Sequence, residues 1–159
     1  MRLREARTVL AGALQALDTE LSALREGAGL IVRHGVAERE IPQLAHQLGA
    51  LAVFASHDDE PQAQLRDNHV RGHLADHGIA FHTCKDHVVF ERQEVMTLSG
   101  TAFSVFTPYK NAWLRKVNDF YLKAYPVERY TQHLAPRPAA LRQPVPTLQD
   151  LDFETTNLL

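Results

Sequence analysis

The residues best suited to chemistry in this 159-residue chain form an acidic cluster at 58–60, directly after a short apolar run. A turn between a strand and a helix is where open α/β sheets bind their ligands. Aspartates at such a turn also cap helices by accepting backbone N–H groups. The cluster is therefore either a helix cap or part of a ligand site, and the pattern alone leaves both open.

A row of histidines follows the acidic cluster. His69, His73 and His77 recur at intervals of four residues, which on a helix places their rings on one face. Such a face could bind a transition metal. Because three ligands on one rigid helix cannot all approach one ion well, we interpret the row as a polar, solvent-facing surface and predict no metal site.

The remaining chemical signals are weak. The chain contains one cysteine, Cys84, in an apolar run that predicts a buried structural thiol. A single cysteine excludes an intramolecular disulfide and fits a reducing cytoplasm. The glycine-rich phosphate loops, the GxSxG nucleophile motif and the HExxH zinc motif are all absent. These absences argue against a free-standing enzyme, and we assign no catalytic residue.

Charge and hydropathy argue against a nucleic-acid-binding module and against a membrane protein. The formal net charge is −2, so the chain has no overall attraction to nucleic acid. No run approaches the roughly 18 apolar residues that a membrane helix needs, and the N-terminus lacks a signal-peptide pattern. We expect a soluble, cytoplasmic protein.

Helices and short apolar runs alternate and must position these residues. The apolar runs 29–35, 51–56 and 79–84 predict three strands. A helix is predicted before the first strand, another over 37–48, and a third from Pro61 to Gly78. The first helix carries leucines whose spacing suits either packing on a sheet or a coiled coil, and we favour the sheet because the pattern lasts only two heptads. Those leucines are Leu10, Leu14, Leu17, Leu21 and Leu24. The alternation predicts an α/β fold, a parallel sheet with helices on both faces.

The pattern changes after Asp86. An extended segment broken at Ser99-Gly100 predicts a long loop. A helix then begins, with Thr107 predicted as its N-cap and Pro108 at its first position. Trp113 and Tyr109 lie on its apolar side and are expected to pack. Prolines recurring between 126 and 147 predict an interdomain linker.

Two stretches of the chain resemble the DNA photolyase and cryptochrome family. DDEPQAQLRDNHVRGHL at 58–74 is similar to the family's Glu-Pro pair after the fourth strand and Arg-Asp pair on the next helix. KDHVVFERQEVMTLSGTAFSVFTPYKNAWL at 85–114 is similar to its Asp-His, Ser-Gly turn, Phe-Thr-Pro-aromatic and Trp-Leu series. The closing PVPTLQDLDF resembles the linker into the family's helical domain. The resemblance runs in order from Arg4 to Phe153.

The resemblance implies a Rossmann-like N-terminal domain with a parallel sheet in the order 3-2-1-4-5, followed by a helical domain that binds FAD. By this comparison residues 1–125 are the antenna domain without its first two strands, and residues 126–159 lead toward an absent helical domain. The strands at 29–35 and 51–56 would then show unpaired edges, through which the chain could associate with itself.

The resemblance also implies a function: part of a deoxyribodipyrimidine photo-lyase, which uses light to repair pyrimidine dimers in UV-damaged DNA. This piece alone is expected to be inactive. Its contribution would be an antenna chromophore of folate or deazaflavin type, with Glu60 and Gln62 nearest to it. Folate-using members carry an adjacent Asn and Glu where this chain has Gln62 and Ala63, and alanine cannot replace a carboxylate, so folate is the less expected antenna. The alternatives are a non-catalytic nucleotide- or partner-binding module and a fragment of a cryptochrome-type blue-light photoreceptor.

Overall fold

The computed structural model describes residues 2–153, and their side chains from residue 6 onward. It divides the chain into two compact units. One unit is Gly35–Ala124, and the other consists of the described parts of Met1–His34 and Tyr125–Leu159. The α-helices and strands, in chain order, are α1 (Arg2–Leu24), α2 (Ala37–Gln47), β1 (Ala52–Ser56), α3 (Pro61–Ala75), β2 (Ala80–Cys84), α4 (Phe106–Lys116) and α5 (Asp119–Leu122).

The two strands form a parallel pair, with a register that runs from Ala52 opposite Ala80 to Ser56 opposite Cys84. The α/β class with a parallel sheet is thereby confirmed. The helix α3 connects the strands, as parallel pairing requires. Pro61 occupies the start of α3, where a missing N–H has no cost, and Gly78 follows its end at φ +69°.

One face of this sheet carries the hydrophobic core. Side chains from α2, α3 and the residue just before β2 are buried together, and partly buried residues of both strands pack against them. The buried set is Ala45, Val70, Leu74 and Ile79, with Val53 and Phe81 from the strands. The opposite face exposes Phe54, Ser56, His82 and Cys84. Within the unit Gly35–Ala124 no second helical layer covers that face, and the prediction of a buried thiol at Cys84 is wrong.

The strand predicted at 29–35 does not form. Leu30 donates its backbone N–H to Asp18 Oδ1 at 2.7 Å, and its carbonyl accepts from Arg137 Nη1 at 2.8 Å. Because side chains already satisfy both backbone groups, Leu30 cannot join a strand ladder. The β-rich composition of this run was therefore overridden by contacts within the unit that contains α1.

Helix α4 begins two residues earlier than predicted. Its N-cap is Val105, which makes no side-chain capping bond, so the assignment of Thr107 as N-cap is wrong. Pro108 is the third residue of the helix rather than the first. A proline is tolerated there because the first four N–H groups of a helix have no partner within it. Trp113 and Tyr109 are half-buried and pack edge-on against Phe90 and Phe103.

Within the described residues, no helix is both long and apolar enough to span a membrane.

Candidate functional site

The segments that follow the two strands meet at one end of the sheet. Ser56 Oγ donates to Asp86 Oδ2 at 2.8 Å, and the His57 N–H donates to the Cys84 carbonyl at 2.8 Å. Parallel strands end at the same edge, so these contacts bring residues 57–62 and 85–94 together. We call these two segments the carboxyl edge.

A histidine–carboxylate contact and an ion pair join residues 57–59 to residues 91–92, at the start of the short 3₁₀ turn Arg92–Glu94. His57 Nδ1 lies 3.0 Å and 3.1 Å from the two carboxylate oxygens of Glu91. Arg92 donates to Asp59 Oδ1 from Nη2 at 2.8 Å and from Nε at 3.1 Å. The carboxyl edge is therefore held by polar side-chain contacts between residues more than thirty positions apart.

A second ion pair, between Lys85 and Glu94, lies within the 85–94 segment of the carboxyl edge. Lys85 Nζ lies 2.7 Å from Glu94 Oε2, which also accepts the Glu91 N–H at 2.5 Å. The hydrogen bond from Lys85, with the Glu91 N–H second, holds the pKa of Glu94 below its ordinary value of 4.5. The same bond raises the pKa of Lys85 above 10.5. Lys116 Nζ donates to the Glu94 backbone carbonyl, which ties α4 to this turn.

An aromatic cluster underlies the 85–94 segment. Phe90 is buried, and its ring packs edge-on against Trp113 at 5.5 Å and Tyr121 at 4.7 Å between centroids. Lys116 Nζ lies 5.0 Å from the centre of the Phe90 ring, where a cation is attracted by the ring face. Phe90 thus anchors an otherwise irregular segment to α4 and α5.

The three acidic residues at 58–60 have different roles. Asp58 Oδ1 accepts the Glu60 N–H at 3.0 Å and shapes the turn, and Asp59 pairs with Arg92. Glu60 is the N-cap residue of α3 but makes no side-chain capping bond. Its side chain and that of Gln62, the second residue of α3, are both exposed. The structure places the two predicted ligand residues at the carboxyl edge, whereas Ala63 is buried in the core.

The histidine row contacts the helix α2. His69 Nδ1 lies 2.9 Å from Glu38 Oε1, and His73 Nδ1 lies 2.9 Å from the Glu38 carbonyl. The His77 ring lies 5.3 Å from that of His46. In the part of the chain that the structure describes, no group of three metal-ligating side chains could hold an ion.

Sequence reasoning missed most of the carboxyl-edge network. His57, Glu91, Arg92 and Glu94 belong to irregular segments, where no periodic pattern marks a partner. It also missed an open cavity of about 650 Å³ between the 96–103 loop and α4, whose lining includes Leu98, Phe103 and Arg115. None of the lining residues belongs to the carboxyl edge.

The arrangement at the carboxyl edge suits binding rather than bond cleavage. Its exposed carboxylate and amide, Glu60 and Gln62, can accept and donate hydrogen bonds to a polar ligand. The His57 imidazole and the members of the ion pairs Lys85–Glu94 and Arg92–Asp59 already have partners within the edge.

Comparison with known proteins finds similarity to DNA photolyases. A family model described as DNA photolyase matches residues 3–134. A deoxyribodipyrimidine photo-lyase of Synechococcus sp. (strain ATCC 27144) is 30% identical over 152 residues, covering 91% of this chain and 30% of that protein. The deoxyribodipyrimidine photo-lyase of Halobacterium salinarum is 32% identical over 138 residues, covering 84% of this chain and 28% of that protein. An uncharacterized 31.6 kDa protein of Synechococcus sp. (strain PCC 6716) is 36% identical over 104 residues, covering 65% of this chain and 36% of that protein. The chain thus spans about a third of the length of these curated relatives.

Proposed function

Because this chain belongs to the DNA photolyase family, we propose that it forms the antenna-type α/β part of a deoxyribodipyrimidine photo-lyase. The observation that carries the proposal is the family match over residues 3–134. The relatives are about three times as long, so light-driven repair of pyrimidine dimers is proposed for a whole protein of that kind. In that protein UV-damaged DNA is the partner, and FAD belongs to the helical part. The proposed compartment is the cytoplasm, whose reducing conditions suit the exposed Cys84 thiol.

The proposed role of this chain is to hold an antenna chromophore at the carboxyl edge through Glu60 and Gln62. Support comes from their exposure at the end of the parallel strands, where open α/β sheets bind ligands. The chromophore, when bound, absorbs near-UV or blue light and passes on the excitation. The chain's residues orient it: Gln62 through its amide, and Glu60 as an acceptor for a ligand N–H or O–H.

A deazaflavin-type antenna is proposed in preference to folate. Where folate-using members carry a carboxylate, this chain has Ala63, which is only 7% exposed and offers no hydrogen-bonding atom. This chain offers an amide at Gln62 and a carboxylate two residues before it, at Glu60. A folate site of the kind described needs the carboxylate directly after the amide, at position 63, where this chain has alanine.

Titration of the purified 159-residue chain with a deazaflavin or a methenyl-folate, followed by absorbance and fluorescence, tests this role. We expect the deazaflavin to bind and the folate to bind at least about tenfold more weakly, the equivalent of one lost hydrogen bond. The double variant Glu60→Gln, Gln62→Ala should weaken deazaflavin binding by about tenfold or more. Asp76→Asn is the matched control, since this exposed carboxylate lies at the other end of α3, about 22 Å along the helix axis.

Two results would contradict the proposal. If neither chromophore binds, the chain is not an antenna domain. If the double variant and the control bind equally well, the ligand lies elsewhere and Glu60 and Gln62 are not its contacts.

A further inference from the structure

The histidine row of α3 ends next to a histidine of a second helix. The ring of His77, two residues beyond the end of α3, lies 5.3 Å from the ring of His46, in the last turn of α2. The earlier members of the row, His69 and His73, contact Glu38 instead. Within the described residues the ring nitrogens of His46 and His77 make no hydrogen bond, so they are available to a ligand.

Buried neighbours hold the backbones of both histidines in place. Ala45, directly before His46, and Leu74, in the last turn of α3, are buried in the same hydrophobic core. The Leu74 carbonyl accepts the His77 N–H at 3.0 Å, and the Ala45 carbonyl accepts the Ala50 N–H at 2.9 Å. The packing of α2 against α3 therefore sets the distance between the two rings.

The separation of the two rings matches the geometry of a shared zinc ion. Zinc lies about 2.0–2.1 Å from an imidazole nitrogen, and hence about 3.2 Å from the centre of the ring. Two imidazoles bound at the tetrahedral angle therefore have their centres about 5.2 Å apart, close to the observed 5.3 Å. A square-planar ion, with about 90° between neighbouring ligands, needs a separation of about 4.5 Å. The distance thus favours tetrahedral Zn²⁺ over square-planar Cu²⁺ or Ni²⁺.

We infer that His46 and His77 together bind a zinc ion at the C-terminal ends of α2 and α3. On α3 alone the row offers no such site, because three ligands on one rigid helix cannot all approach one ion; here the second ligand comes from another helix. The two imidazoles supply two of the four tetrahedral positions, and water fills the others. The C-terminal ends of both helices carry partial negative charge, which favours a cation between them. The inference does not depend on the proposed antenna role, because the pair lies at the opposite end of α3 from Glu60 and Gln62.

Calorimetric titration of Zn²⁺ into the full chain tests the inference. Because the exposed Cys84 thiol can also capture zinc, every protein in the series carries Cys84→Ser. We expect one zinc ion per chain at the tightest site. His46→Ala and His77→Ala should each raise the zinc dissociation constant by about tenfold or more, since loss of a group behind a ligand already costs about 10–100-fold. His73→Ala is the matched control, because His73 lies one turn before His77 in the same row and contacts Glu38.

Proton NMR of the histidine rings provides a measurement that does not depend on the histidine variants folding. On addition of zinc the ring signals of His46 and His77 should shift together, while those of His69 should not change. A chain that binds no zinc would overturn the inference. So would zinc binding that leaves the His46 ring signals unmoved, or binding that His73→Ala weakens and His46→Ala does not. In the last case His73 and His77, four residues apart on one helix face, would hold the ion without α2.

Discussion

Arg137 Nη1 lies 3.2 Å from Asp18 Oδ1, and the same nitrogen donates to the Leu30 carbonyl at 2.8 Å. Asp18 in turn accepts the Leu30 N–H at 2.7 Å. Both charged side chains are largely buried, at 15% and 21% exposure. These contacts fasten the C-terminal third of α1, the segment after it and residue 137 to one another within the unit that contains them.

Removing Asp18 should destabilise the protein. Asp18→Ala leaves the Leu30 N–H without its acceptor and the Arg137 guanidinium without its counter-charge, both in a partly buried place. We expect a loss of about 1–3 kcal/mol in the free energy of unfolding, measured by urea titration. Asp59→Ala is the control, because its pair with Arg92 is exposed at 67% and 61% and should contribute at most about 1 kcal/mol. Equal losses in the two variants would show that the Asp18 contacts add nothing beyond an exposed ion pair.

These contacts also explain why the sequence wrongly predicted a strand at 29–35. The runs 51–56 and 79–84 became β1 and β2 because each found a strand partner. The run 29–35 has similar composition, but the partners that decided its conformation lie 12 residues before Leu30 and 107 residues after it. Local composition carries no information about side chains at such separations.

The same limit applies to the candidate site. The position of Glu60 and Gln62 at the carboxyl edge follows from the alternation of strand and helix, which local patterns reveal. The pairing of His57 with Glu91 does not, because Glu91 lies in a loop without periodicity. For Cys84 a signal was present and was misread: Val53 and Phe81 mark the buried face, and alternation along β2 turns Cys84 to the other side.

Phe90 should contribute more to stability than its place in an irregular loop suggests. It is 6% exposed and contacts Trp113 and Tyr121 with its ring. Phe90→Ala should lower the free energy of unfolding by about 3–5 kcal/mol, because the cavity left between α4 and α5 cannot close fully. Trp113→Ala should cost less than that, since Trp113 is only half-buried.

Phe120→Ala is the control for Phe90. The ring of Phe120 also packs edge-on against Tyr121, at 5.3 Å, but it is 81% exposed. Its removal should change stability by no more than about 1 kcal/mol. A loss for Phe90→Ala as small as that for Phe120→Ala would mean that the 85–94 segment is not anchored by this ring.

The Lys85–Glu94 pair should give the stability of the protein a defined dependence on pH. The folded pKa of Glu94 lies below 4.5, so its contribution is present above that pH and is lost as the pH falls through the folded pKa. The folded pKa of Lys85 lies above 10.5, so its contribution is present below that pH and is lost as the pH rises further. Carbon NMR titration of the Glu94 carboxylate should give a pKa below 4.5 in the unsubstituted chain and a higher one in Lys85→Met. If the pKa is the same in both, the Glu91 N–H rather than Lys85 sets it.

Two glycines near the end of α3 should respond to alanine in opposite directions. Beyond the adjacent backbone, an added Cβ would meet no atom within 4 Å at either Gly72 or Gly78, so a difference between the two substitutions does not come from steric contact. Gly72 lies inside the helix, and Gly72→Ala should stabilise the protein by about 0.5–1 kcal/mol because alanine loses less backbone entropy on folding. Gly78 has φ +69°, a left-handed conformation that costs an L-residue about 1–2 kcal/mol, so Gly78→Ala should destabilise by about that amount. Urea titration of both variants measures the difference, and a Gly78→Ala protein as stable as Gly72→Ala would show that the chain between α3 and β2 does not hold the left-handed turn.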